Sequence, residues 1–129
     1  MPVATDFYRW TGLPHVVGAD PRDGEGACCL KVAQVIHQEL GLPFPTEQVE
    51  IWLSLARARQ WARLRAAFID NTVPAANCRP GTMAQVNRSD GTFGIATAVD
   101  DRYLLVPVHD RGLAAVPKRV FRQSHEVRR

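Results

Sequence analysis

The sequence predicts an α+β domain with its helices at the N-terminal end, packed on a small antiparallel sheet. Apolar residues recur at helical spacing along residues 28–40 and again from 46 to about 68. After Pro80 the pattern changes to short apolar or alternating runs, "TMAQV", "TFGIATAV", "YLLVPV" and "GLAAVPKRVF". The segments between these runs, "NRSDG", "DDR" and "HDR", carry turn chemistry, most clearly at Asp90-Gly91 and Asp100-Asp101. Helices first and strands afterwards place the helices together on one face of the sheet.

The elements follow in order within one domain of 129 residues. The helical part is expected over about 5–72, the sheet over about 80–117, and a basic C-terminal tail over about 118–129. "TDFYRWTG" reads as a short helix or turn, followed by a loop rich in Gly, Pro and Asp up to residue 27. Cys29, Val32, Ala33, Ile36 and Leu40 form one apolar stripe with Lys31, Gln34 and Gln38 on the other side, and Gly41 with Pro43 ends that helix. A second helix starts near Thr46 and continues to about Phe68, with Val49, Leu53, Ala56, Leu64 and Phe68 inward. Arg57, Arg59, Arg63 and Arg65 fall mostly outward. "NTVPAANCRPG" is a breaker-rich connection to the sheet.

Composition narrows the function classes. An apolar fraction of 46% and a charged fraction of 22% are those of a soluble globular protein, and no apolar run is long enough for a membrane-spanning helix. The start "MPVATDFYRW" has no basic lead followed by a long apolar stretch, so no signal peptide is expected. Net charge is +3, and the basic residues gather in "ARARQWARLRAAF" and the tail rather than in a stripe interleaved with aromatics. Nucleic acid is therefore not the partner this pattern calls for. Three cysteines, two of them sequence neighbours, fit free thiols in a reducing compartment. "CC" followed only by Cys78 lacks paired metal-ligand spacing, so no metal and no other cofactor is expected.

The chemistry-bearing stretch is "GEGACCLKVAQVIHQELG", where a glycine-rich loop becomes a helix. A thiol in the first turn of a helix is favoured as thiolate by the partly positive backbone N–H groups, and Cys29 stands there as the candidate nucleophile. Such a nucleophile needs an imidazole within hydrogen-bond reach and a group to orient it. A cysteine on an apolar stripe also serves as a small packed hydrophobe, and spacing alone does not separate the two.

In the order of its segments the chain resembles the NlpC-type papain-like cysteine peptidases, a cell-wall endopeptidase family whose members recur in bacteriophage tail tips. "GLPHVVG" matches the family's Gly-x-Pro-aromatic-x-x-Gly loop, and "GEGACCLKVAQVIHQELGLPFP" matches its core helix. Pro80-Gly81 matches the dipeptide that opens its sheet, and "TFGI" its His-x-Gly-Ile strand. The resemblance implies a papain-like fold with Cys29 on the nucleophile position. It also implies departures: Thr92 stands at the position of the base, and a threonine hydroxyl cannot take a thiol proton near neutral pH. Leu105 or Val106 stands where a polar orienting residue belongs, Cys28 replaces an aspartate, and His15 replaces an aromatic residue, commonly tyrosine.

Two functions follow as expectations. The first is a structural protein of a phage tail tip or tail hub, made in the host cytoplasm and assembled into the virion. Its partners would be other tail proteins, with Tyr8, Trp10, Trp52 and the basic tail as contact candidates. The second is a peptidoglycan endopeptidase or amidase in which Cys29 attacks a peptide amide with His15 or His109 as a substitute base, residing in the bacterial cytoplasm if not in a virion; a secreted amidase effector is a weaker variant of it. His37 lies about two turns along the helix from Cys29, too far for contact, and His125 falls in the tail.

Overall fold

The computed structural model describes residues 6–108, 110–121 and 124–127, and shows an α+β architecture. Three α-helices, α1 (Cys29–Leu40), α2 (Thr46–Arg57) and α3 (Trp61–Asp70), precede a six-stranded antiparallel sheet. Its strands are β1 (Thr72–Ala75), β2 (Met83–Asn87), β3 (Phe93–Ala98), β4 (Tyr103–Val108), β5 (Gly112–Pro117) and β6 (Ser124–Val127), in the spatial order β1-β6-β2-β3-β4-β5.

The meander β2 to β5 follows the alternating runs of the sequence, and its turns carry the expected chemistry. The Asp100 side chain accepts the backbone N–H groups of Arg102 and Tyr103, each at 2.8 Å, closing the β3–β4 connection. Strand β6 differs from expectation: residues 124–127, read as part of a tail, insert between β1 and β2. The short first strand fits at the sheet's edge because Pro74, which has no N–H to donate, is tolerated there.

Helix α1 is the axis of the fold. Cys29, Leu30 and Ala33 pack with Trp52 and Leu53 of α2, Leu64 and Phe68 of α3, and Phe93 and Ile95 of β3. Val32, Val35 and Ile36 meet Phe7, Trp10, Leu105 and Leu113 on the other side. Cys29, Val32, Ala33 and Ile36 are buried as the stripe predicts, but Gln34 is buried as well and Leu40 at the helix end is exposed. The far face of the sheet carries a separate cluster of Ala84, Ala96, Ala98, Leu104 and Val106, so β3 is buried along its whole length. Full burial of a large apolar side chain contributes about 1.5–3 kcal/mol, and Trp52 at 0% exposure belongs to this core. Trp10 is buried too, so neither tryptophan is a surface contact; Tyr8 remains exposed.

The single long helix expected from 46 to 68 is two. Its break is a Schellman-type cap: Gln60 N–H donates to the Leu55 carbonyl at 2.8 Å and Arg59 N–H to the Ala56 carbonyl at 3.0 Å. Arg59 takes the left-handed φ of +56° that glycine usually supplies here. The cap at the end of α1 has the same pattern with a glycine, Gly41 at φ +69°. A left-handed non-glycine costs about 1–2 kcal/mol, partly offset by the smaller entropy loss of a side-chain-bearing residue. Arg59→Gly should therefore raise stability by about 0.5–1 kcal/mol, read from urea midpoints at unchanged m-value.

Two histidines are buried. His37 donates its Nδ1–H to the Ala33 carbonyl at 2.6 Å and packs on Phe44. His125 in β6 takes the Gln85 amide on Nε2 at 3.3 Å and meets the Thr72 hydroxyl at 3.5 Å through Nδ1, with its ring against Phe68. Burial lowers the pKa of both below the ordinary 6.5. The unfolded chain then binds protons that the folded chain refuses, so this contribution to stability is intact above about pH 6.5 and declines as pH falls below it. The melting temperature should drop between pH 7.5 and 5.5, and His37→Gln should flatten that drop.

Candidate functional site

The loop before α1 is fastened at three points. Gly12 N–H donates to the Leu113 carbonyl at 2.7 Å and Leu113 N–H to the Leu13 carbonyl at 2.8 Å. That approach leaves no room for a side chain at Gly112, whose Cβ would meet the carbonyl oxygens of Gly12 and Leu13. Further on, His15 forms a parallel bridge with Ala27. Val16 N–H donates to the Ala27 carbonyl at 3.1 Å and Ala27 N–H to the Pro14 carbonyl at 2.9 Å. Cys28 N–H then donates to the Ala19 carbonyl at 3.1 Å, immediately before the first helical residue, Cys29.

This fastening brings His15 to the cysteine pair. Cys28 occupies the N-cap of α1, and both thiols line an open cleft of about 1300 Å³ that His15, Thr92 and Phe93 also border. The two sulfurs share a hydrogen bond, which with burial pushes the Cys29 thiol well above its ordinary pKa. The same bond from Cys29 lowers Cys28, burial opposes the shift, and hydrogen bonds from the His15 ring and the Gly18 and Leu30 backbone assist it. The shifts of the two thiols thus run in opposite directions, Cys28 down and Cys29 up.

Thr92 borders the same cleft, but its hydroxyl donates to Asp90 at 2.7 Å and its N–H donates to the same carboxylate oxygen at 3.0 Å. It caps the β2–β3 hairpin. Leu105 and Val106 are buried and apolar. His109 lies outside the described residues. His37 serves the core at the α1 end near Gly81, and His125 the centre of the sheet.

Sequence reading missed the cationic lining. Arg57, Arg59, Arg88 and Arg111 all border the cleft. Arg57 reaches the loop closely enough that a Cβ at Gly18 would sit 2.6 Å from its Nη2. Arg88 lies along Gly94, where a Cβ would come within 3.0 Å of Nη1, and donates to the Pro107 carbonyl at 3.2 Å. It spans a gap, since β3 and β4 pair only at Thr97↔Leu105 and Ala98↔Leu104. Asp90 and Asp110 are the cleft's acids. Among the described residues the one ion pair is Arg22–Asp20, away from the cleft. The arginines come from helix end, hairpin and turn, so no contiguous motif announced them.

Among the described residues, no helix is long and apolar enough to cross a membrane and no group of three or more His, Cys, Asp or Glu is placed to hold a metal ion. Compared with known proteins, the chain matches no protein-family model, no curated protein and no solved structure.

Gly26 decides how closely the loop can lie. A Cβ there would sit 2.8 Å from Val16 Cγ2 and 3.1 Å from the Pro14 carbonyl oxygen. Gly26→Ala should cost about 1–3 kcal/mol, as overpacking does. Adding Val16→Ala should return part of that loss, a coupling readable in a double-mutant cycle.

Proposed function

We propose that this chain is a structural component of a bacteriophage tail tip or tail hub, with an NlpC-like, papain-type domain whose Cys29 no longer works as a peptidase nucleophile. The catalytic half is carried by what surrounds Cys29, whose thiol is pushed up by its hydrogen bond with Cys28 and by burial. Thr92, at the base position, is committed to Asp90. The third position offers only buried Leu105 or Val106. A base contributes about 10²- to 10⁴-fold in rate, and these positions provide none.

The tail half rests on the resemblance in segment order. It is supported by the α+β arrangement, in which a helix carrying the cysteine at its start lies on the sheet's meander. Partners in this reading are other tail proteins, and exposed Tyr8, Val16, Val17 and Val120 offer them apolar contacts. Peptidoglycan is the ligand of the hydrolase reading, which would run through Cys29.

Particles assembled with Cys29→Ser should form in wild-type yield. Loss of assembly with the fold intact would count against the scaffold role. Turnover of peptidoglycan fragments by the native chain, abolished by the same substitution, would overturn the catalytic half.

A further inference from the structure

We propose that Cys28, which shares a cleft with His15, is a nucleophile and that this cleft admits carboxylate-bearing electrophiles. This goes beyond the tail-component reading and does not depend on it, because the residue concerned is not the one the family resemblance points to.

Three independent placements meet at Cys28. The residue sits at the N-cap of α1, where backbone N–H groups without helical partners favour an anion. The His15–Ala27 bridge sets the His15 backbone against the residue before Cys28, and His15 and Cys28 line the same cleft. Cys29 follows directly and lines the same cleft, and the interaction between the two side chains lowers the Cys28 pKa while raising that of Cys29. A cysteine at a helix start that shares a cleft with an imidazole is an arrangement that nucleophilic cysteine chemistry uses.

The charge around the pair selects the electrophile. Arg57 reaches over from α2 to Gly18, whose backbone also supports the Cys28 sulfur. Arg59 and Arg111 border the same cleft from α2's end and the β4–β5 turn. Of the two acids, Asp90 is turned onto its own hairpin by Thr92, and Asp110 borders the cleft beside Arg111. Four guanidinium groups against two carboxylates leave the cleft cationic, and guanidinium matches a carboxylate in a two-pronged hydrogen bond.

The step balances without any further reagent. The Cys28 proton passes to His15, and the sulfur attacks the acyl carbon, forming an S–C bond. The bond from that carbon to its leaving group then breaks, and His15 returns the proton to the departing nitrogen or oxygen. With an alkyl halide the S–C bond forms as the carbon–halogen bond breaks and halide leaves.

A matched pair of reagents tests both parts. Iodoacetate and iodoacetamide differ in charge, and their rates can be followed from pH 5 to 9 on the full chain, with fragment mass spectrometry separating Cys28, Cys29 and half-buried Cys78. At pH 6, Cys28 should react with iodoacetate at least ten-fold faster than Cys78, whose thiol burial pushes up. Cys28→Ser should abolish that labelling and Cys29→Ser should keep it on Cys28, with the profile moved to higher pH. His15→Gln should move the profile the same way, and Arg57→Gln should slow iodoacetate while leaving iodoacetamide unchanged. Melting curves of each variant confirm that the fold is retained. Labelling at pH 6 that falls on Cys29, or a Cys28 no faster than Cys78 at any pH, would overturn the proposal. An unchanged profile in His15→Gln would remove the imidazole from it, and equal slowing of both reagents in Arg57→Gln would remove the charge selection.

Discussion

The pairing of residues 14–19 with residues 27 and 28 is the contact on which the rest of the site depends. Three backbone hydrogen bonds join the two segments, so the loop behaves as a short extra strand laid against the entry to α1. Because the carbonyl of Cys28 receives the Val32 N–H at 2.8 Å, the same residue ends the loop and begins the helix. Helix α1 then runs between two clusters of the core, and its position fixes where the thiols lie relative to β3. Small residues make this possible: Gly26 lets the loop close down and Gly112 lets β5 meet its other end.

Much of this was legible in the sequence, for identifiable reasons. The helix at 29–40 has a stripe, a terminating glycine and a following proline, and the hairpins have Asp-Gly and Asp-Asp turns. The break between α2 and α3 was hidden because Arg59, not glycine, takes the left-handed position. Strand β6 was hidden because "SHEV" is short and polar, and its place is set by pairing with β1 and β2 rather than by its own pattern. His15 was visible as a residue near the cleft, yet only the bridge to Ala27 shows that it lies against the residue before Cys28. The arginines converge from separate elements, which periodicity cannot report.

Adjacent thiols make an unusual division of labour. Two cysteines in succession at a helix start cannot both be anions, since like charges at that separation in a buried site repel strongly. The interaction between them separates the two, pushing Cys29 up and Cys28 down. Thr92, on the same cleft, stabilises a hairpin through Asp90.

The sheet order also governs when the fold can close. Strand β1 follows the helices directly, yet its sole sheet neighbour is β6, formed by residues 124–127. During synthesis the helices and the meander can emerge and pack while β1 still has no ladder to join. Sheet closure on that side therefore waits until β6 has left the ribosome, about 50 residues after β1.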